Sequence, residues 1–459
     1  MEQVRTRVAV VGGGIAGLTA AFRLQQAGTD YRLIESAAVA GGKIRTERVG
    51  GFTIEAGPDS FLAEKPAARE LCEEIGLGEE IIPTNDARRR TFLVSRGRLR
   101  PLPEGFVMLA PVDPLALLRS RLVSLRGVAR MAVEPLVPVR TDPADESVGA
   151  FIRRRLGGEV LERIVDPLLS GIYAGESDRL SIRSTFPRLA EMERTHGSLV
   201  RGLLAAKRKA KPKGAVFLSL RGGMDRLATT LAAKLDARSL LLGTRVATIA
   251  REETAWRLTL SNGSSVVAER VIFATPAFVT ASVVDAVDRE LAELLRRIPY
   301  VSTASVALAY RRADVRHPLD GFGFVVPRIE RRRITACTWV STKLPERAPA
   351  DGALLRCFIG RAGEEEHLAG SDDDLQRLAR EELRDLMGID AEPLFARVFR
   401  WGKSMPQYLV GHQELLAAID ARLAGLPGVF VTGSAYRGVG LPDCIREAGA
   451  VTSRASVSF

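Results

Sequence analysis

Disulfide chemistry has little to work with in this chain of 459 residues. Its four cysteines, Cys72, Cys337, Cys357 and Cys444, form no CxxC pair, which excludes a disulfide scaffold and points to a reduced, cytoplasmic setting. Histidine is equally scarce. His196, His317, His367 and His412 are scattered, with no second His or Cys at ligand spacing, so no metal site is expected. Aromatic residues make up only 6% and no basic stripe interleaves with them, which argues against nucleic acid as a partner. The longest uncharged runs, Val8–Phe22 and Val271–Val284, fall short of the ~20 apolar residues of a spanning helix, so no transmembrane segment is expected. The first run follows Arg5 and Arg7 like a leader, but Gly12, Gly13, Gly14 and Gly17 break it. There is no internal repeat.

What is present is ordinary globular composition, 46% apolar and 26% charged, in a chain long enough for two or three domains. The formal charge of +11 suits an anionic partner without choosing one. Arg7–Val11 reads as a buried strand, Ile15–Ala27 as a helix with Gly28 beyond its end, and Tyr31–Ile34 as a second strand closing on Glu35. Gly12, Gly14 and Gly17, in the spacing Gly-x-Gly-x-x-Gly, follow the strand and open the helix. The first allows the tight turn, the second lets backbone approach a diphosphate, and the third lets helix and strand pack closely. Gly13, Ile15 and Ala16 complete the loop at the helix N-terminus, where free N–H groups favour an anion. Glu35 can accept hydrogen bonds from a ribose diol. An acid there, rather than Arg, argues against a 2′-phosphate.

Farther along, the stretch from Arg88 to Lys213 is rich in Leu, Ala and Arg and reads as mainly helical. Leu115, Leu118, Leu122, Leu125 and Ala129 recur at helical spacing opposite Arg119, Arg126 and Arg130. The first reading is a surface helix, Leu115–Met131, with one core face; a peripheral membrane contact is the second. Lys207–Lys213, five basic residues in seven, reads as a solvated linker. Asn262-Gly263 joins strands at Arg257–Leu260 and Ser265–Ala268 as a hairpin, and Val271–Ala274 follows as a further strand. Val301–Tyr310 and Leu354–Gly360 suggest a second sheet. Ser371 before three aspartates caps a helix ending near Gly388.

Gly41-Gly42-Lys43 follows Glu35 closely, bringing a second close approach and a cation to the same diphosphate. This arrangement resembles the flavin amine oxidase superfamily. Gly57-Pro58-Asp59-Ser60, Asp166–Gly175, Arg400–Tyr408 and Gly433–Ile445 are similar to segments of its porphyrinogen oxidase branch, nearest to the bacterial coproporphyrinogen III oxidase and protoporphyrinogen oxidase family. The resemblance spans nearly the whole chain. It implies FAD, held by Gly12–Gly17, Glu35, Ser36, Gly42 and Lys43, with Gly57, Pro58, Asp59 and Ser60 facing the flavin ring. It places Val246 near the adenine and Trp401, Val439, Gly440 and Leu441 at the flavin end. Trp401 reads equally as a core aromatic, and Val246 as a buried strand residue. Ser170, Gly171 and Ile172 would lie beside the substrate, and Lys65 would reach a propionate or stay a solvated lysine.

The implied fold is α/β. An FAD-binding Rossmann-like domain is assembled from residues 1–85, 214–280 and 395–459, with a helical insert over 86–213 and a mixed α/β substrate domain over 281–394. The implied activity is oxygen-using oxidation of a porphyrinogen, coproporphyrinogen III before protoporphyrinogen IX, with a ferrochelatase as transient partner. No side chain is identified as a catalytic acid or base. Membrane-type relatives carry an Arg where this chain has Thr91, with Arg88, Arg89 and Arg90 just upstream, which favours the coproporphyrinogen branch. An amine or carotenoid oxidase and a non-catalytic binding module of the same fold are the rival readings.

Overall fold

A computed structural model describes residues 3–103, 106–107, 110–111, 114–209 and 214–456. The N-terminal unit forms as its pattern dictates. Strand β1 (Gln3–Val11) is buried at its C-terminal half, α1 (Ile15–Gln26) follows the glycine turn, and β2 (Tyr31–Ile34) pairs with β1 in parallel. On the other side β1 pairs in parallel with Ser265–Phe273. Leu240–Leu241 extends the sheet beyond β2, and Val429–Val431 adds a last parallel strand beside Val271–Phe273. An antiparallel pair, Val246–Glu252 and Ala255–Leu260, completes it. Parallel strands must be covered on both faces. Here α1 and the C-terminal helix Leu441–Ser456 cover one face, and helices Ala277–Val284, Arg289–Arg296 and His412–Ala424 the other.

The second sheet has seven strands, in the order Phe395–Pro406, Tyr300–Arg311, Gly352–Ile359, Ala336–Trp339, Gly323–Val325, Thr91–Ser95, Arg98–Pro101. Helix Asp372–Met387 packs on one of its faces through Leu375, Leu378, Ala379 and Leu383. That helix begins with a capping box between Ser371 and Asp374 and stops at Gly388 in the left-handed region, as its sequence predicts.

Several expectations need correction. The stretch from Arg88 opens with two strands, Thr91–Ser95 and Arg98–Pro101, and these join the second sheet, as does Phe395–Pro406. The boundaries drawn at 86 and 395 therefore assign three strands of that sheet to other domains. Ser265–Phe273 is one continuous strand rather than two, because β1 pairs with it in parallel along its whole length, while on its other side the first half meets Ala255–Leu260 and the second half Val429–Val431. Residues 207–209 end helix Leu199–Lys209 rather than beginning a linker, and 210–213 lie outside the described residues.

The Leu115–Met131 helix is two helices, Pro114–Ser120 and Leu125–Ala132. Arg121 adopts a left-handed φ of 57°, and Ser124 starts the second helix by accepting the Gly127 N–H. This break changes the phase of the pattern. Leu117, Leu122, Val123 and Met131 become the buried set, while Leu115 and Leu125 are 63% and 73% exposed. Inside this helical region a fully buried Arg155 is held by Glu134, Glu193 and main-chain carbonyls of Val137 and Gly197. Among the described residues no helix is long and apolar enough to cross a membrane.

Candidate active site

The site begins at the turn after β1. Gly12 has φ of +106°, and a Cβ at Gly17 would stand 1.8 Å from the Gly12 carbonyl oxygen. Both must therefore be glycine. A Cβ on Gly14 would meet nothing within 4 Å, whereas a Cβ on Gly42 would come within 3.1 Å of the Gly14 Cα. The Gly41 N–H donates to the Gly13 carbonyl at 2.8 Å. The second glycine pair thus lies directly against the first, at the N-terminus of α1. The first N–H groups of a helix have no partner within it, and the dipole there attracts negative charge.

Lys43 completes this cradle. Its ammonium donates to the Ser404 carbonyl and has no carboxylate partner among the described residues. Burial pushes its pKa below the ordinary lysine value. A largely buried cation with no carboxylate partner, one residue on from the Gly42 backbone that lies against Gly14, fits a diphosphate, which would restore its charge balance. Glu35 accepts from the N–H of Gly13 at 2.5 Å and of Ala37 at 2.7 Å, and from the Ser36 hydroxyl at 3.0 Å. A carboxylate has four lone-pair sites, so capacity remains for a ribose diol. The backbone of 243–244 donates to Glu35 and Ala37, which brings the start of the Val246 strand to this same end. These features fit the adenosine and diphosphate parts of FAD.

From Lys43 the track continues to the loop Gly57–Ser60. A Cβ at Gly57 would lie 1.8 Å from the Lys43 carbonyl oxygen. The Ala56 carbonyl accepts from Trp401 Nε1 at 2.9 Å and from Arg356 Nη2 at 3.0 Å. Asp59 Oδ1 accepts from Lys343 Nζ at 2.7 Å and from the Ser60 hydroxyl at 2.7 Å, and its carbonyl accepts from Ser219. Burial alone would raise the Asp59 pKa, but Lys343 and Arg356 outweigh it and hold the carboxyl at about 2. At the far end Gly438 donates its N–H to the Tyr408 hydroxyl at 2.8 Å, and residues 439–441 lead into the C-terminal helix.

Arg356 and Trp401 also fix which face of the second sheet looks onto this loop. Residues directly opposite one another in neighbouring strands share a face. Arg356 is opposite Thr338 and Ala307; Thr338 is opposite Gly323; Phe358 is opposite Ala336, and Ala336 opposite Val325. Of this set Val325, Ala336, Thr338 and Phe358 are half-buried, whereas the alternating residues Phe324, Cys337, Trp339 and Cys357 are buried against helix Asp372–Met387. The result is a floor of small and apolar side chains. Helix Asp166–Tyr173 forms a wall beside it. A Cβ at Gly171 would lie 3.8 Å from Val325, Ile172 is 46% exposed, and the buried Ser170 hydroxyl has no hydrogen-bond partner. The wall is clamped to the second sheet by Arg328, which reaches Asp166 at 3.5 Å and the Gly175 carbonyl at 3.3 Å.

The structure therefore brings together Gly12–Gly17, Glu35, Ser36, Gly42, Lys43, Gly57–Ser60 and Trp401 along one track, with Ser170–Ile172 beside the sheet floor. Trp401 is both a packing residue and a donor to the loop. Lys65 is neither free nor merely solvated: it is 43% exposed and pairs with Asp443 at 2.5 Å in the first turn of the C-terminal helix. Sequence reasoning missed Lys343 and Arg356. The only signal for Arg356 was a lone charge inside the apolar run Leu354–Gly360. Among the described residues no group of three or more His, Cys, Asp or Glu could hold a metal ion.

Comparison with known proteins agrees with this architecture. The family described as flavin-containing amine oxidoreductase matches residues 15–454. The coproporphyrinogen III oxidase of Bacillus subtilis is 36% identical, covering 99% of each chain, and that of Staphylococcus aureus is 33% identical, covering 96% of this chain and 97% of its own. The crystal structure of a candidate protoporphyrinogen oxidase from Exiguobacterium superposes with a TM-score of 0.88 at 34% identity, covering 99% of both chains. With its diphosphate cradle in place and this likeness running end to end, the chain belongs to the flavin-containing amine oxidoreductase family and is an FAD-dependent oxidoreductase.

Proposed function

We propose that this enzyme oxidises coproporphyrinogen III to coproporphyrin III with oxygen as electron acceptor. The carrying observation is the full-length relation to named coproporphyrinogen III oxidases, and the small, apolar floor beside Gly171 suits a flat macrocycle. Bound FAD supplies two-electron oxidation, applied three times per porphyrinogen, with each electron pair passing to oxygen to give peroxide.

The chain's own residues position the reactants. Gly12–Gly17, Gly42, Lys43 and Glu35 hold the adenosine diphosphate, with Val246 near the adenine. Gly57, Pro58, Asp59, Ser60, Trp401, Val439, Gly440 and Leu441 surround the ring. Residues 1–85 and 214–280 with those after 406 make the cofactor-binding part. Glycine at 171 lets the macrocycle approach the helix backbone closely. The floor excludes water, while the substrate's carboxylates turn outward to cations at the rim, Lys65 among them. Opening the Lys65–Asp443 pair is the step that frees that lysine. Asp59, at about 2, is too weak a base to take a pyrrole proton at neutral pH. Those protons leave to solvent. We place the reaction in the cytoplasm, ahead of metal insertion by a ferrochelatase.

Porphyrin fluorescence followed in parallel with coproporphyrinogen III and protoporphyrinogen IX, without detergent, tests the reading. Faster turnover of the coproporphyrinogen is expected. Preference for protoporphyrinogen IX, the activity named for the Exiguobacterium protein, would overturn the substrate assignment.

A further inference from the structure

Lys343 is the last residue of the short helix Val340–Lys343, which follows strand Ala336–Trp339 of the second sheet. It reaches out of that sheet into the cofactor-side loop. Its ammonium lies 2.7 Å from Asp59 Oδ1, 3.0 Å from the Ser60 hydroxyl and 5.5 Å over the Phe217 ring. The two charged side chains are only 13% and 14% exposed. Its own carbonyl is fixed by the Asn85 N–H at 2.9 Å. This is a short, enclosed ion pair between two regions, with little water to screen it.

The other groups around Asp59 do not substitute for Lys343. Arg356, from strand Gly352–Ile359, acts on Asp59 but donates its hydrogen bond to the Ala56 carbonyl. Arg347, from the turn Pro345–Arg347, faces Asp59 but pairs with Glu55 at 3.1 Å. Glu55, from strand Phe52–Glu55, is a like charge. Ser60 donates to the carboxylate, and Ser219, from strand Phe217–Leu220, donates only to the Asp59 carbonyl. Without Lys343, an enclosed carboxylate would keep one hydroxyl donor and two cations whose own contacts go elsewhere, Arg356 to Ala56 and Arg347 to Glu55. Burial then favours the protonated form.

We propose that Lys343 is a positioning residue for the oxidation: by keeping Asp59 ionised it fixes the Gly57–Ser60 loop against the flavin end of the site, so that the second sheet sets the electrostatics where the electrons are transferred. The proposal rests on that loop lining the FAD site, as in the proposed function.

The test uses the FAD-loaded enzyme and two readouts, the visible spectrum of bound FAD and the pH profile of kcat, between about pH 5 and pH 9. In the wild type both are expected to be flat with respect to Asp59. In Lys343→Met both should titrate within that window, with kcat falling about tenfold per pH unit on the acid side. Lys343→Arg should restore the flat profile. The double variant Asp59→Asn/Lys343→Met should also be flat, because the titrating carboxyl is gone. A Lys343→Met enzyme with wild-type spectrum and profile overturns the proposal, as does an acid limb that persists in the double variant. If Lys343→Met does not accumulate as folded protein, Asp59→Asn alone decides. A shifted visible band and reduced kcat are expected, and an enzyme indistinguishable from wild type overturns the proposal. A wild-type protein that binds no FAD would instead defeat the cofactor reading itself, and is told apart at the first spectrum.

Discussion

The two ends of the proposed cofactor track are built by opposite means. At the diphosphate end, nearly everything is backbone: Gly12, Gly14, Gly17 and Gly42 lie within a short span of sequence, joined by the side chains of Lys43, Glu35 and Ser36. At the ring end, the contacts are side chains from distant segments. Asp59 meets Lys343, Ala56 meets Arg356 and Trp401, and Lys65 meets Asp443. Backbone geometry tolerates no substitution where a Cβ has no room, but it is encoded locally. Side-chain geometry tolerates conservative change, but exists only once the chain has folded.

This contrast fixes the order of expected effects. The largest is Gly57→Val, which sets a Cβ 1.8 Å from the Lys43 carbonyl oxygen at the junction of the two ends. No flavin band should survive purification, as measured by visible absorption. A yellow Gly57→Val protein would break the view that this junction is rigid. A smaller effect is expected from Lys43→Met, which removes one cation and leaves the backbone cradle intact. The FAD Kd should rise about 10- to 100-fold, or about 1.5–3 kcal/mol for a charge-assisted contact, while the porphyrinogen KM stays unchanged. A changed KM with unchanged FAD affinity would reverse the assignment of Lys43 to the diphosphate end.

The same contrast explains what could be read from the sequence. The strand–turn–helix–strand unit and the Ser371 cap were legible because hydrophobic period, glycine spacing and capping residues act over a few positions. The Leu115–Met131 helix was misread because a left-handed residue at Arg121 and a new cap at Ser124 break a pattern whose period is otherwise helical. Thr91–Val94 was matched to a strand by resemblance, but its place in the second sheet was not legible, because beyond its hairpin partner Arg98–Pro101 it pairs with Gly323–Val325, far away in sequence. Lys343 carries no local sign of function, since its meaning comes from Asp59 on another loop. The sheet floor was invisible for the same reason. Ala336 and Thr338 alternate with Cys337 and Trp339, but which side faces the Gly57–Ser60 loop is decided by Arg356 and Trp401 reaching Ala56.

The central claim is that a porphyrinogen on the sheet floor delivers electrons to flavin held by the glycine cradle. Anaerobic mixing with coproporphyrinogen III, followed in the flavin absorption band, tests it most directly in wild type and in Ala336→Phe, which fills the floor. The account predicts that wild-type flavin bleaches on mixing and recovers when air is admitted. Ala336→Phe should bleach only with dithionite. Wild-type flavin that stays oxidised with the porphyrinogen but bleaches with dithionite, or an Ala336→Phe enzyme that bleaches like wild type, would contradict it.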